Sequence, residues 1–473
     1  MLPTTLFLGL AGTALAFHGQ ACQRIAVEVS SATGVYYPGS PSYIADNDHY
    51  VSSSSQSSKC SVEPGSAEDV GIILGILGET KTPFGIKGGG HATNQGFSST
   101  TGVQIAMTRF NEVTYDSATH TAAIGAGNIW DDVYAALDAQ GVNVLGGRVT
   151  GIGVAGFTLG GGYSWLSNQH GLAIDNVLAY ELVVPNGTVV TVKEETDPEL
   201  FFSLKGGGNN YGIVTRFTVK AFPQGTVWGG IAAYNTSYLP AFTAATVKFC
   251  SEVTDPKAGI IIVYGYTSGQ VLLSTQMFYD GPTPPIGIFD DFLAIPAVAQ
   301  DVTTRSFFDL INSTFATINP SAGYRTVYND IPELEYSEST IRNIIDDLTF
   351  WGPTLSTHSG VVTAYALEPF LPSLLTHAPA GSSAYPGSRA QVFFPTNLDL
   401  IWVEETEDEV FHDAARKIVE RLGVEGAPRY PNYAIIGTPV VDMFGQEGLR
   451  RMQAVRERVD PEGVMQLTGG FKV

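Results

Sequence analysis

The sequence predicts an α+β fold in two lobes, on three observations. The chain has 473 residues, more than one hydrophobic core organises. Three glycine triplets, Gly88-Gly89-Gly90, Gly160-Gly161-Gly162 and Gly206-Gly207-Gly208, each lie beside a β-like run in the first half. From about Thr226 the glycine-rich loops stop, and alternating strands and longer helical stretches take over.

Taken in order, the first sixteen residues read as a secretory signal peptide. Leu6 to Ala16 is a short apolar run ending in the small-x-small site Ala14-Leu15-Ala16, although no Lys or Arg precedes it. The alternative is a buried first helix. The run is too short to cross a bilayer, and no other segment is a candidate membrane span. Export would permit a disulfide between Cys22 and Cys60, leaving Cys250 as a buried thiol. It would also expose the sequons at Asn186, Asn235 and Asn312 to glycosylation.

The serine run Ser52 to Ser58 reads as a loop or cap, and Ser66-Ala67-Glu68-Asp69 opens an apolar helix to Leu77. Strands are expected at Phe84–Lys87, Val103–Met107, Val113–Tyr115, Thr121–Ile124 and Ile213–Val219. A helix is expected at Trp130–Ala139. A hairpin is expected around Pro185-Asn186-Gly187, within Glu181–Val192. In the second half, Ile260–Tyr266 and Val271–Phe278 form an antiparallel pair. Helices follow at Ser306–Phe315, Ser337–Leu348 and Glu407–Leu422, the last acidic at its start and basic at its end.

Composition narrows the function. With 46 acidic against 25 basic residues and a net charge of −21, the chain has no basic cluster for a phosphate backbone, so nucleic acid is not a partner. The remaining histidines lack metal-ligand spacing, and no H-E-x-x-H, C-x-x-C or G-x-S-x-G occurs, so no metal site is expected. Ile86-Lys87-Gly88-Gly89-Gly90-His91 pairs a loop able to hug an anionic ligand with a histidine at its end, although alone it also reads as a flexible loop. Gly151-Ile152-Gly153-Val154-Ala155-Gly156 matches G-x-G-x-x-G, with Asp175 about 20 residues on. It is not a Rossmann site: Gly160-Gly161-Gly162 would sit inside the helix that such a loop opens, at about 1 kcal/mol each. An extended, ligand-hugging loop is expected instead. Leu204-Lys205-Gly206-Gly207-Gly208-Asn209-Asn210-Tyr211-Gly212-Ile213-Val214 again runs from glycines into a strand.

In this order the motifs resemble the FAD-linked oxidases of the vanillyl-alcohol-oxidase flavin fold, with its PCMH-type FAD-binding domain, in the berberine-bridge-enzyme-like branch. The likeness spans about residues 40 to 225. It resumes at Tyr430-Pro431-Asn432-Tyr433 and Val459-Asp460-Pro461-Glu462-Gly463-Val464. The resemblance implies a PCMH-type FAD-binding domain over 17–225, an α+β substrate domain over 226–425 roofing the flavin, and a segment over 426–473 returning to the FAD domain. It places His91 as the histidine bonded to the flavin 8α carbon and Gly88, Gly89 and Gly90 as the pyrophosphate loop. It makes Val154, Gly156, Gly160 and Gly161, within Ile152–Gly162, the second cofactor loop. Gly212, Ile213 and Val214 fall at the adenine end, Asn432 near the flavin ring, and Tyr163 facing substrate.

Two departures matter. Many relatives have a second flavin link from a cysteine where this chain has Val149, and no cysteine lies between Cys60 and Cys250, so only a single link is possible. A histidine common in the family is replaced by Phe157. The resemblance implies hydride removal from a small organic substrate to flavin N5, with dioxygen reoxidising the flavin and yielding hydrogen peroxide. Tyr433 and Tyr163 are the candidate bases, with Glu404 and Glu405 as rivals. An alcohol or sugar oxidase and a biosynthetic oxidase acting on an amine or polyketide both fit. A flavin-loaded binding protein with little turnover is the alternative of another class.

Overall fold

The computed structural model describes residues 20–315 and 323–473, so the signal segment expected over 1–16 lies outside the described residues. Cys22 and Cys60 form the expected disulfide, 38 residues apart, tying the helix at 20–28 to the strand Cys60–Glu63. Cys250 is the free thiol. Asn186, Asn235 and Asn312 are all exposed.

The first lobe holds two sheets. In one, the order is Gly34–Tyr36, Cys60–Glu63, Val103–Ala106, Phe84–Lys87, and the last three run parallel. Parallel neighbours need a crossover. Helix Ala67–Thr80 provides it, starting at Ser66, whose hydroxyl accepts from the Asp69 N–H at 3.2 Å. The helix buries Val70, Ile73, Leu74 and Leu77, one face at helical spacing. The other sheet is antiparallel, in the order Val113–Asp116, Thr121–Gly125, Ile213–Lys220, Val177–Val183, Val189–Val192. Its last pair is the expected hairpin, and Gly187 takes the left-handed backbone (φ 85°) that the turn requires.

The second lobe is one antiparallel sheet of seven strands: Ala297–Arg305, Val227–Tyr234, Gln270–Tyr279, Ala258–Thr267, Gly360–Leu367, Phe394–Trp402, Arg325–Glu333. Residues alternate between its faces. Ile260, Ile262 and Tyr264 join a core with helices Leu239–Glu252, Glu338–Ser356 and Asp408–Leu422. Ile261, Val263 and Gly265 face the first lobe across a cavity. Helix Val440–Val459 packs on helix Pro198–Leu204 of the first lobe, and Thr468 bridges to Phe84. The end of the chain thus returns to the first lobe.

Three elements differ from the sequence reading. Ile152–Gly162 is not extended throughout: Val154–Leu159 is a short helix. Its ends fall at Gly153 and Gly160, so the glycine triplet lies beyond it and the helix avoids the cost that argued against one. The helix expected to end at Leu348 continues to Ser356, through Gly352, where a Cβ would stand 2.4 Å from the Tyr266 ring. The serine run is more than a loop. Ser53 Oγ donates to Thr326 O (3.2 Å) and accepts from Thr326 N–H (3.0 Å), fastening the lobes together.

Because the disulfide closes a long loop, replacing Cys22 and Cys60 together by serine should cost about 2–4 kcal/mol of stability. Denaturant unfolding should show a lower midpoint, and an unchanged midpoint would mean that the bridge constrains nothing.

Candidate active site

A cavity of about 600 Å³ lies between the lobes. Its floor is made by the glycine loops. Gly88, Gly89, Gly90, Gly153, Gly156, Gly160, Gly206–Gly208 and Gly212 all line it. Two of the loops touch backbone to backbone: a Cβ on Gly89 would stand 2.5 Å from Gly153 Cα, and one on Gly153 would stand 2.4 Å from Gly89 N. A Cβ on Gly156 would meet nothing within 4 Å, which is open cavity. At Gly160 it would stand 2.0 Å from Asn432 Oδ1. Asn432 also donates from Nδ2 to Phe157 O (3.1 Å) and to Tyr430 Oη (2.9 Å).

His91 follows the first loop on the cavity wall, its ring stacked on Tyr50 at 3.8 Å. Burial pulls its pKa down to about 4, so the imidazole is neutral at pH 7. Phe97, Gly208, Asn209, Gly212, Ile213, Val214 and Phe471 line the cavity too. The cavity thus has a glycine floor where backbone approaches a ligand closely, and a neutral histidine on its wall. These features fit FAD.

The roof is the cavity-facing side of the seven-stranded sheet. Here the structure brings together residues that the sequence did not single out. Arg148, 7% exposed, and Glu368, 3% exposed, form an ion pair at 2.5 Å. Tyr433 Oη donates to Glu368 Oε1 (2.8 Å) and accepts from Arg148 (3.1 Å). Burial, then the Glu368 charge, pushes the Tyr433 pKa well up. Burial raises the Glu368 pKa as well, against the pull of Arg148. Arg148 also lies over the rings of Phe370 and Trp165, at 5.5 and 5.8 Å. Tyr163 lines the cavity, bonded through its hydroxyl to Tyr385 at 3.0 Å, and burial raises its pKa too.

Most sequence-identified positions meet here: Gly88, Gly89, Gly90, His91, Gly156, Gly160, Tyr163, Gly212, Ile213, Val214, Asn432 and Tyr433 all line the cavity, as do Val149 and Phe157. Two do not. Val154 is fully buried in the core, because the short helix turns Ala155, Gly156 and Leu159 to the cavity instead. Gly161 lies behind the wall, where a Cβ would meet the Tyr385 ring at 2.8 Å. Glu404 and Glu405 are exposed, beyond the end of strand Phe394–Trp402, and line no part of the cavity. Neither tyrosine has the lowered pKa that a lone tyrosine base needs. Asp175, the acid that completed the rejected Rossmann pattern, is buried in an ion pair with Arg389 at 2.5 Å. The missed residues did leave a signal: Arg148 is a lone charge in a glycine-rich stretch, and Glu368 follows an apolar strand.

The architecture is that of a flavin-dependent oxidoreductase. A family model described as an FAD binding domain matches residues 58–193. The chain is 31% identical to the FAD-dependent monooxygenase drtC of Aspergillus calidoustus, over 91% of this chain and 85% of that protein. Its fold matches that of 6-hydroxy-D-nicotine oxidase from Arthrobacter nicotinovorans, with a TM-score of 0.79 at 20% identity, covering 94% of this chain and 98% of that one. It also matches glucooligosaccharide oxidase from Acremonium strictum, whose FAD is described as 6-S-cysteinyl, 8α-N1-histidyl, with a TM-score of 0.77 at 18% identity, covering 94% and 97%. The chain belongs to the fungal FAD-linked oxidoreductases of the PCMH-type, berberine-bridge-enzyme-like fold.

A methyl group at Gly156 projects into the cavity while favouring the helix around it. Gly156→Ala should therefore leave thermal stability unchanged or raised by up to about 1 kcal/mol, yet lower the flavin content of the purified protein. Full flavin content in this variant would show that the floor is not a tight cradle.

Proposed function

We propose that the chain is an FAD-dependent oxidase acting on a small alcohol, sugar or secondary metabolite. On this reading it carries its FAD on His91 alone and uses dioxygen as acceptor, forming hydrogen peroxide. The observation that carries the reading is the buried Arg148–Glu368–Tyr433 group over the glycine cradle. FAD held there supplies the hydride acceptor, at N5.

The protein moves the proton. A substrate hydroxyl that hands its proton to Tyr433 Oη displaces the tyrosine's own proton along the 2.8 Å bond to Glu368. Tyr433 then never becomes a free phenolate, which its raised pKa would oppose. Arg148 stays charged: burial would lower its pKa, but Glu368, by charge and hydrogen bond, together with Tyr433 and Tyr430, raises it. It orients the carboxylate between turnovers. At His91, the lowered pKa leaves the ring unprotonated, as a histidine that carried the flavin would need to be. Val149 offers no sulfur for a second link.

The exposed sequons and the Cys22–Cys60 bridge support a secreted, glycosylated protein. The name of the Aspergillus relative favours a second reading, monooxygenation, in which labelled dioxygen would enter the product instead of leaving as peroxide.

Three outcomes test the proposal. Acid precipitation should leave yellow flavin in the pellet for the wild type and in the supernatant for His91→Ala. Colour in the wild-type supernatant would remove the bond but keep the flavoprotein. On a substrate found by peroxide screening, Tyr433→Phe and Glu368→Gln should each lower kcat by roughly 10²–10⁴-fold. Glu368 acts as the ionised acceptor, so activity should fall as pH drops through its raised pKa, above the ordinary carboxyl value near ~4.3. Glu368→Gln should lose that acidic limb, and a limb that survives would assign it elsewhere.

A further inference from the structure

His91 has an aromatic neighbour outside the glycine loops. The terminal torsion of a histidine is broad, so contacts set the plane of an imidazole on a cavity wall. Here the contact is Tyr50, which also lines the cavity. Its ring stacks on His91 with centroids 3.8 Å apart and planes 17° apart. One face of the imidazole is therefore covered by a second rigid ring.

Tyr50 is itself held from several sides. Its N–H donates to Gly90 O at 3.1 Å, the carbonyl of the peptide that leads into His91. Its side chain is hydrogen-bonded to the hydroxyl of Tyr328, on the seven-stranded sheet. The segment before it is pinned by Lys87, whose Nζ donates to Ala45 O (2.7 Å) and Asp48 O (2.5 Å). Buried His49 adds a contact from Nδ1 to Asn47 O at 3.0 Å. Lys87 and Gly90 belong to the loop that ends in His91, so one loop both carries the imidazole and fastens its neighbour. The joint is tight: Gly90 has a left-handed backbone (φ 71°), and a Cβ there would stand 2.8 Å from Lys87 Cε and 3.4 Å from His49 Cδ2.

We propose that Tyr50 is a positioning residue for flavin attachment, holding the His91 imidazole in the plane from which it bonds the 8α carbon. This rests on the reading that His91 carries the FAD. In that step a new N–C bond forms from the imidazole lone pair. The 8α methyl loses a proton and the imidazole loses its N–H proton. The electron pair of the broken C–H bond stays with the flavin ring, and dioxygen then takes it up with two protons as hydrogen peroxide. Nothing in this balance asks Tyr50 to give or take a proton. Its contribution is orientation, and a displacement of about 1 Å at a reacting atom costs up to roughly 10²-fold in rate.

The test uses the flavin-containing protein as purified. Total FAD per chain is measured first, then its division between acid pellet and supernatant. Wild type should hold its flavin in the pellet. Tyr50→Leu fills the space without a planar face. It should bind FAD as fully as wild type but release it to the supernatant when freshly purified. On incubation with FAD in air its colour should then pass into the pellet with time, the bond forming up to roughly 10²-fold more slowly than in wild type. Slow attachment at full occupancy is a result that a merely structural residue would not give. Tyr50→Phe, which keeps the ring face, should restore pellet flavin. If Tyr50→Leu does not fold, Tyr50→Met, which adapts to irregular packing, takes its place in the same assay. A variant without the ring whose flavin is wholly in the pellet when freshly purified overturns the proposal. So does a folded variant that no longer binds FAD, since Tyr50 would then serve binding and not attachment. Wild-type flavin in the supernatant would instead remove the His91 bond itself.

Discussion

The structure depends on one contact between two loops that are far apart in sequence. Gly89 and Gly153 meet backbone to backbone, with no space for a Cβ on either. One loop ends a parallel strand and leads to His91. The other opens the short helix Val154–Leu159 and the triplet beyond it. Their contact closes the cavity floor, over which Asn432 reaches from the C-terminal segment to Phe157 O and to the space above Gly160. Side chains there would part the loops and occupy the volume in which a cofactor lies. Glycine is the residue type that satisfies both demands.

Above that floor, the seven-stranded sheet has two chemically different faces because strand side chains alternate. One face is sealed by three helices and is wholly structural. The other is mostly small and apolar, and its few polar groups have distinct circumstances. Glu368 is paired with Arg148 and Tyr433, whereas Asp399 and Asn397 are bare. A buried ion pair contributes little net stability once desolvation is counted. Arg148 and Glu368 instead fix the Tyr433 hydroxyl, which bonds to both.

Much of this was legible in the sequence, and the reasons differ by element. The glycine triplets stood out because backbone geometry dictates their residue type. Helix Ala67–Thr80 and the Asn186-Gly187 hairpin stood out because caps and turns are local. The helix Val154–Leu159 was hidden because its bounding glycines argue against helix, although none of the triplet lies within it. Arg148 and Glu368 are 220 residues apart, and no local pattern joins them. Glu404 and Glu405 attracted notice as acids beside a tryptophan, but they fall just past the strand end, where the chain leaves the sheet. Tyr433 was found through family likeness. Its environment was not: burial and the Glu368 charge raise the Tyr433 pKa, and its hydroxyl donates to Glu368.

The same low dielectric acts on His91 and Glu368 in opposite senses. Burial disfavours charge, so it makes the histidine neutral and the carboxylic acid slow to ionise. A neutral imidazole suits bond formation to an electron-poor carbon, and a carboxylate of raised pKa is a stronger proton acceptor. Arg148 opposes that shift and draws the Glu368 pKa back toward the ordinary carboxyl range. Phe157 and Val149 add apolar side chains to the cavity lining.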